Sequence, residues 1–520
     1  MAHPMGESKP GPFRLGFDRR LKLEFHSFQI SSDGGLLPYR ELDEVLGLSK
    51  LAGEALSKVR RGNNTRHLLT GLLRQSVYGR LAEYEDVNDA ERLCRDPVMR
   101  AIVERNGLDG LAASSSQIGR FETAWLASED NLAALTDLSG AWIDRARSGS
   151  KTIVLDIDSN VSPTHGEQEG SSYNGHFART CYHPLFVFSQ FGDLVRCVLR
   201  PGHVHSAEGW RQLLEPVVAR YRDRAGRRYF RADAAFASPE VYEYLEAEGF
   251  LYAIRLPGNQ VLQRRISHLL NRPVGRPPKS IRRHFYSFDY QAQSWDHARR
   301  VVAKIEWHPG ELIRRFGFVV TNLERSSEQV VRFYNQRGKA EQWIRKGKHA
   351  INWTRLSSQK FRANQVRLQL HALVYNLANF MRTLALPGRV AHWSLTTLRE
   401  KLVKIGTRMI RRGRYVTFQM AEVAISARMF GQILARIARL RAPPVPACSK
   451  PTSSRPAPGM RCALATERPR SNGMRAAMAS AWKAAPASSR SPSTWKLSSR
   501  AGMATIIAGN VVHPGNVGLE

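Results

Sequence analysis

The sequence predicts an α/β protein whose mixed β-sheet is interrupted by a β-rich segment and is flanked by helical regions. Three observations support this prediction. Apolar residues recur at helical spacing through residues 39–147. From residue 151 onward, short runs typical of strands alternate with helical segments, which is the rhythm of an α/β sheet. Residues 257–312 then break that rhythm with extended segments that show little helical periodicity.

The composition indicates a globular chain with a polyanionic partner. Its 520 residues are 42% hydrophobic and 24% charged, which excludes a wholly disordered or fibrous chain. Lys and Arg number 78 against 45 Asp and Glu, and this formal charge of +33 favours nucleic acid, because each neutralised phosphate releases counterions. A basic membrane-surface protein and a ribosome-associated protein are the alternatives. No apolar run reaches the roughly 18 residues of a membrane span, so we expect no membrane partner.

The cysteine pattern favours a reducing compartment. The five cysteines form no CxxC pair and their number is odd, so the sequence predicts neither a disulfide framework nor a structural zinc site. The first residues contain no apolar run of the kind found in signal peptides. We therefore expect the protein in the cytoplasm.

Residues 1–147 are interpreted as an N-terminal, mostly helical DNA-binding region. A helix start is predicted at Ser114, where a serine cap would leave Gln117 and Arg120 exposed as in a recognition helix. An ordinary capped helix in a bundle explains the same pattern equally well. Arg120 is therefore a candidate DNA contact.

Acidic residues follow two strands of the sheet that begins in residues 148–256. Asp156 and Asp158 are two residues apart on one predicted strand, so their side chains share a face, and Asp233 follows a later strand. Sheets of this class place ligands at the carboxyl ends of their strands. Crowded carboxylates repel unless a cation neutralises them, and all-oxygen ligands select Mg²⁺ or Mn²⁺. Strand-end aspartates that only satisfy turns are the alternative.

The remaining boundaries follow from changes in the pattern along the chain. We expect a β-rich insertion at 257–312, a last strand with its helices at 313–386, a basic helical C-terminal region at 387–442 and a disordered tail at 443–520.

A helix predicted at residues 326–350 carries four polar residues on one side. In one continuous helix, these residues fall within an arc of about 60°: Tyr334, Arg337, Glu341 and Lys348. An apolar stripe runs beside that arc, so the charged groups lie next to buried surface and need partners. A metal ion for Glu341 and DNA phosphates for Arg337 and Lys348 would supply them. A solvated charged face with i, i+4 pairs is the alternative.

The spacing of these four residues, Tyr-x2-Arg-x3-Glu-x6-Lys, resembles the YREK signature of bacterial DDE transposases. Four further segments are similar to the insertion-sequence family thirteen-eighty: 156–160, 165–170, 199–206 and 231–233. The resemblance covers about residues 15–441. It implies an RNase H-like catalytic core with an inserted β-rich region, in an enzyme that cuts the ends of a mobile DNA element and joins them to target DNA.

The resemblance also implies the catalytic residues. Asp158, Asp233 and Glu341 would be the three catalytic carboxylates and would hold two Mg²⁺ or Mn²⁺ ions at the scissile phosphate. The ions would activate water, then the freed 3′-hydroxyl, and would stabilise the leaving oxygen. Asn160 stands where the family usually has Thr, so Asp156 stays as the reserve candidate for the first ligand.

The other candidate residues would contact DNA. The rest of the signature would hold phosphates near the cut: Tyr334, Arg337 and Lys348. Arg276 lies in a Gly-Arg-Pro segment that resembles minor-groove hooks, but so short a motif often matches by chance, and a flexible basic loop is the favoured interpretation. Arg411 and Arg412 belong to a basic cluster with no obvious acidic partner, for which DNA backbone contact is predicted.

The resemblance implies partners as well. These are double-stranded DNA, as element terminal inverted repeats and as target, and a second copy of the chain that completes a synaptic dimer. The place of action would be the nucleoid in a bacterial cytoplasm. An inactive or domesticated transposase, acting as a DNA-binding protein or a simple nuclease, is the alternative.

Overall fold

The structure is a computed structural model that describes residues 29–57, 66–104, 107–222, 226–271, 279–311 and 314–441, with the backbone of two short strands before them. The minor-groove candidate Arg276 and the predicted tail at 443–520 lie outside the described residues. Among the helices of the described ranges, none has the length and apolar composition that would cross a membrane.

The first part of the chain forms a layer of helices. Its elements are β1 (Phe13–Arg14), β2 (Lys22–Leu23), β3 (Gln29–Ser31), α1 (Leu36–Leu46), α2 (Leu48–Ala55), α3 (Leu69–Leu81), α4 (Ala90–Leu93), α5 (Pro97–Val103), α6 (Ser115–Arg120) and α7 (Glu129–Ala146). Arg80 on α3 donates two hydrogen bonds, of 2.7 and 2.8 Å, to the carboxylate of Glu122. Both side chains are buried, so this ion pair fixes the turn after α6 against α3.

The central part of the chain alternates strands with helices. Its elements are β4 (Thr152–Ser159), β5 (Ser162–Pro163), β6 (Ser172–Asn174), β7 (Arg179–Tyr182), β8 (Leu185–Ser189), β9 (Leu194–Val198), α8 (Trp210–Arg222), β10 (Arg227–Ala232), α9 (Pro239–Ala247), β11 (Leu251–Leu256), α10 (Gln260–Arg265), β12 (Arg282–Tyr290), β13 (Arg299–Trp307) and β14 (Arg315–Thr321). Strands β5, β6 and β7 form a small separate sheet.

Eight of these strands form one mixed sheet in the order β12-β13-β14-β11-β10-β4-β8-β9. Strands β4, β8 and β9 form an antiparallel meander, whereas β10 is parallel to β4 and β11 is parallel to β10. Register places Arg231 of β10 beside Asp156 of β4, so the two strands end at the same edge of the sheet. In segment 257–312, β12 pairs antiparallel with β13, and β13 pairs antiparallel with β14, so these strands extend the sheet at its edge.

The last part of the chain covers the sheet and adds a hairpin. Its elements are α11 (Ser327–Asn335), α12 (Gly338–Lys346), α13 (Phe361–Phe380), α14 (Leu395–Leu398), β15 (Thr407–Arg412), β16 (Tyr415–Met420) and α15 (Ala427–Arg439). Helix α13 is buried over most of its length and packs on α3, α7 and β9. It joins the N-terminal helices to the sheet.

Residues 326–350 are mostly helical, as predicted, but they do not form one continuous helix, because the structure divides them into α11 and α12. The N–H of Arg337 donates to the carbonyl of Tyr334 at 2.9 Å, three residues back, instead of to Phe333. The carbonyl of Phe333 accepts hydrogen bonds from Nη1 of Arg231 at 2.9 Å and from the N–H of Gln336 at 3.3 Å. A side chain from β10 and a tighter backbone turn therefore occupy this carbonyl where the helix would otherwise continue. A π-helical turn, Gly347–Ile351, follows α12.

The helical C-terminal end predicted at 387–442 is also wrong in part. Strands β15 and β16 form an antiparallel hairpin, and β3 pairs with β15. Along β16, half-buried and exposed residues alternate, which is the period of a strand rather than of a helix. Gly413 has a φ of 56° in the turn that joins the two strands. This positive φ is favourable for glycine, and it permits the tight connection.

Aromatic rings pack beneath α12. Trp353 stacks on Phe186, with ring centroids 4.8 Å apart, and lies 5.2 Å from the ring of Tyr375. Gly347 faces the same indole, since a Cβ added at Gly347 would lie 2.2 Å from the Trp353 ring. The missing side chain therefore allows the turn after α12 to approach the aromatic core.

We expect Gly347→Ala to lower the free energy of unfolding by roughly 1–3 kcal/mol, because the added methyl group would displace the indole or the turn. Gly431 in α15 is the matched control, since its Cβ position meets open space. Gly431→Ala should leave stability unchanged or raise it slightly. Thermal unfolding of the two variants measures both effects, and an unchanged melting temperature for Gly347→Ala would contradict the expectation.

Candidate active site

Three carboxylates from distant parts of the chain converge on the guanidinium of Arg337. Its Nη2 lies 3.0 Å from Oδ1 of Asp158 and 3.4 Å from Oδ2 of Asp233. Its Nη1 lies 3.2 Å from Oε1 of Glu341. Asp158 lies on β4, Asp233 directly follows β10, and Glu341 lies in the first turn of α12. The structure thus brings together the three acidic residues that the sequence singled out.

The sheet and the helix break position these groups. Strands β4 and β10 are parallel neighbours, so Asp158 and Asp233 lie at the carboxyl ends of adjacent strands. Asp233 also accepts a hydrogen bond of 3.0 Å from the N–H of Ala235 through its Oδ1, and this caps a short turn. The turn-capping alternative therefore accounts for only one oxygen of Asp233, because the other faces Arg337.

Burial differs strongly within the site. The side chains of Arg337 and Asp158 are 8% and 10% exposed, whereas those of Asp233 and Glu341 are 33% and 67% exposed. Burial raises the pKa of Asp158 to about 7; the charge of Arg337 opposes this rise, and the charges of Asp233 and Glu341 add to it. Burial acts to lower the pKa of Arg337, but the neighbouring carboxylates more than offset it and raise that pKa, so Arg337 stays charged.

Asp156, the reserve candidate for the first metal ligand, is bound to Arg231. Both of its oxygens accept hydrogen bonds of 2.7 Å from that guanidinium, and both side chains are buried. Because Arg231 also holds the carbonyl of Phe333, the pair fixes the end of α11 to the sheet. This geometry favours Asp158 over Asp156 as the first ligand.

Arg231 is the residue that sequence reasoning missed. Its structural position depends on strand register and on a helix that follows about a hundred residues later, and local sequence shows neither. An arginine that directly follows two aromatic residues in a predicted strand is the one signal in the sequence, because a charge buried there requires a partner.

Tyr334 and Lys348 lie in different surroundings. Tyr334 is half-buried at the end of α11 and lines a cavity of about 220 Å³ with Arg255, Lys304 and Phe316. Burial raises the pKa of the Tyr334 hydroxyl. Lys348 lies in the π-helical turn after α12 and forms no ion pair with the carboxylates that the structure describes. The structure therefore does not bring Lys348 into the group around Arg337.

Arg120 is exposed at the end of α6, as the sequence predicts. Its Nε donates to the carbonyl of Ser116 at 3.2 Å. Gln117, however, accepts a hydrogen bond of 2.9 Å from the N–H of Ser114 in a capping box. Gln117 is therefore engaged in the helix cap, and Arg120 is the exposed one of the two side chains proposed to contact DNA.

The basic cluster of the C-terminal hairpin does have an acidic partner, contrary to the expectation from sequence. Arg411 donates a hydrogen bond of 2.6 Å to Asp109, and both side chains are largely exposed. The two residues are about three hundred positions apart, so the sequence could not reveal the pair. Arg412 is exposed at the end of β15.

Oxygen donors at this site have the chemistry that suits Mg²⁺ or Mn²⁺. The carboxylates nevertheless close around a guanidinium. Within the described ranges, no group of three or more His, Cys, Asp and Glu residues is arranged to hold a metal ion directly. The residue types therefore suit a divalent cation, but the guanidinium of Arg337 lies between the three carboxylates.

Comparison with known proteins gives a family match and a structural similarity. The family model of the transposase DDE domain group 1 matches residues 13–442. The chain is similar to a piggyBac transposase in a synaptic complex with hairpin DNA, solved by cryo-EM, with a TM-score of 0.34 and 14% sequence identity. This similarity covers 86% of the present chain and 90% of that one. The search among curated proteins found no match.

Divalent-cation affinity should increase between about pH 6 and about pH 8, because a carboxylate ligand must lose its proton before it binds metal. Burial raises the pKa of Asp158 to about 7. Below this pKa the affinity should decrease by up to about tenfold for each pH unit, and above it the affinity should become constant. Calorimetric titration with Mn²⁺ in two buffers of different ionisation enthalpy measures both affinity and proton release. An affinity independent of pH would contradict this expectation.

Two variants should separate metal binding from stability. Asp158→Asn should weaken Mn²⁺ binding by at least about tenfold, because it removes one charged ligand. Asp156→Asn should instead lower the free energy of unfolding by roughly 3–5 kcal/mol, because it leaves Arg231 buried without its charge partner. Metal titration and chemical denaturation of both variants test this. Equal losses of Mn²⁺ affinity would contradict the choice of Asp158.

Proposed function

Because the chain belongs to the DDE transposase family, whose domain model spans residues 13–442, we propose that it cuts the ends of a mobile DNA element and joins them to target DNA. DDE transposases are transposition enzymes that generally use divalent metal ions. The observation that carries the proposal for this chain is the convergence of Asp158, Asp233 and Glu341 on one cationic group.

Strand order supports an RNase H-like core as part of this proposal. The five strands β9-β8-β4-β10-β11 combine an antiparallel meander with two added parallel strands, and the acidic pair lies where β4 and β10 end. We propose that 148–256 and 313–386 form the core, that 257–312 is inserted into it, and that 1–147 and 387–442 flank it.

Asp158, Asp233 and Glu341 are proposed to hold Mg²⁺ or Mn²⁺ ions, two in each site. When bound, such ions activate water or a 3′-hydroxyl and stabilise a leaving oxygen. Burial of Asp158 limits water around the site and strengthens its electrostatic interactions. Arg337 has the planar fork that can bind a phosphate through two parallel hydrogen bonds, and Tyr334 lies three residues before it.

Double-stranded DNA is the proposed partner, as element ends and as target. The formal charge of +33 supports this through release of counterions, and exposed Arg120 and Arg412 are suited to phosphate contact. Lys348, Arg276 and Arg411 remain predicted DNA contacts. A synaptic dimer, a bacterial insertion sequence of the thirteen-eighty family and a cytoplasmic place of action also remain predictions.

The direct test is incubation of the full chain with Mg²⁺ and DNA that carries the sequences flanking its own gene. We expect cut ends first and joined products afterwards. Cut ends without joined products would identify a simple nuclease, and binding without cutting would identify a domesticated DNA-binding protein. Either result would overturn the proposal.

Glu341→Gln should reduce cutting by about a hundredfold or more, because a lost metal ligand removes several kcal/mol of transition-state stabilisation. In metal-free buffer its affinity for DNA should stay within about twofold, since no phosphate contact is removed. Glu328→Gln is the matched control, because Glu328 is exposed on α11 and pairs only with Arg332 among the described residues. Cleavage and gel-shift assays measure both quantities, and an unchanged cleavage rate for Glu341→Gln would contradict the assignment.

A further inference from the structure

Arg337 occupies the position that a metal ion would need. Both of its terminal nitrogens face carboxylates, at 3.0, 3.4 and 3.2 Å. Its Nε is buried and has no hydrogen-bond partner among the described atoms. Each terminal nitrogen of this guanidinium thus faces the acidic group, and neither of them faces outward for DNA.

A guanidinium and a metal ion compete for the same oxygens at this site. Asp158 and Asp233 share a single nitrogen of Arg337, so their oxygens are separated by no more than the sum of two hydrogen-bond lengths. A cation placed between them would meet the charge of Arg337 at close range. Like charges at such distances repel strongly where water is excluded.

The parts of the site differ in how freely they can move. The backbone at Arg337 is held where α11 ends, since Arg231 fixes the carbonyl of Phe333. Glu341 is two-thirds exposed in the first turn of α12. A change of state can therefore involve the side chains of Arg337 and Glu341 while the helices stay in place.

We propose that Arg337 is an internal cation that holds the three carboxylates together before DNA binds, and that a DNA phosphate draws it away and opens the site to divalent metal. This inference rests on the proposed function. Arg337 thereby acts as a positioning residue that couples DNA binding to metal binding. Because coupling between two ligands is reciprocal, metal should tighten DNA binding by the same factor by which DNA tightens metal binding.

The test is Mn²⁺ binding to the full chain without DNA, measured by calorimetry. Arg337→Gln removes the competing charge, so this variant should bind Mn²⁺ at least about tenfold more tightly than the parent. Arg332→Gln is the matched control, because Arg332 is exposed on α11 and pairs with Glu328, and it should leave the affinity unchanged. Arg337→Lys keeps a charge but loses the fork, so its affinity should lie between the other two.

Adding a short DNA duplex provides the second measurement. DNA should tighten Mn²⁺ binding to the parent, and this effect should shrink in Arg337→Gln, because no guanidinium remains to be drawn away. Thermal unfolding shows which variants are folded, and Arg337→Lys together with the parent decides the question if Arg337→Gln does not fold.

The outcomes distinguish this inference from the proposed function. Equal Mn²⁺ affinity in the parent, Arg337→Gln and Arg337→Lys, at a site that Glu341→Gln weakens, would overturn the inference and leave the metal site standing. Weaker Mn²⁺ binding by Arg337→Gln would also overturn it, since Arg337 would then support metal binding. Absence of any Mn²⁺ binding sensitive to Glu341→Gln would overturn the proposed metal site and the inference together.

Discussion

The buried ion pair between Arg231 and Asp156 is the interaction on which the site geometry depends. It joins two parallel strands at their ends, and its third donor holds the carbonyl that terminates α11. Both charges are desolvated, so each is tolerable only because the other is present. This contact lies at the break between α11 and α12. Through that break, the first turn of α12 faces the carboxyl ends of the strands.

The group of charges around Arg337 depends on the ion pair between Arg231 and Asp156. Three carboxylates at the edge of the sheet would repel one another, and burial makes the ionised form of Asp158 costly. Arg337 offsets part of this repulsion, and it does so from the backbone position that Arg231 sets. The two arginines thus have different tasks: Arg231 fixes a helix end to the sheet, and Arg337 neutralises the acidic group.

The sequence identified the acidic residues and several strands but not the contacts that arrange them. Asp158, Asp233 and Glu341 could be chosen because strand ends, helical spacing and a specific four-residue pattern agree. The division of the helix near Arg337 could not be predicted, because it depends on a hydrogen bond from a residue about a hundred positions earlier. The many arginines of the C-terminal hairpin made its strands difficult to predict, although the alternation of half-buried and exposed residues along β16 is typical of a strand. The partner of Arg411, Asp109, comes from the opposite part of the chain and leaves no trace in local sequence.

Continuity of the eight-stranded sheet has a mechanical consequence. The outer strands β12 and β13 are hydrogen-bonded to the core of the sheet through β14. Val302 of β13 and Val319 of β14 share one apolar cluster with Val330 and Phe333 of α11. A force applied to the outer edge of the sheet is therefore transmitted through close-packed side chains to the helix that precedes Arg337. The outer strands and the acidic edge therefore belong to one continuous sheet that shares a packed apolar cluster with α11.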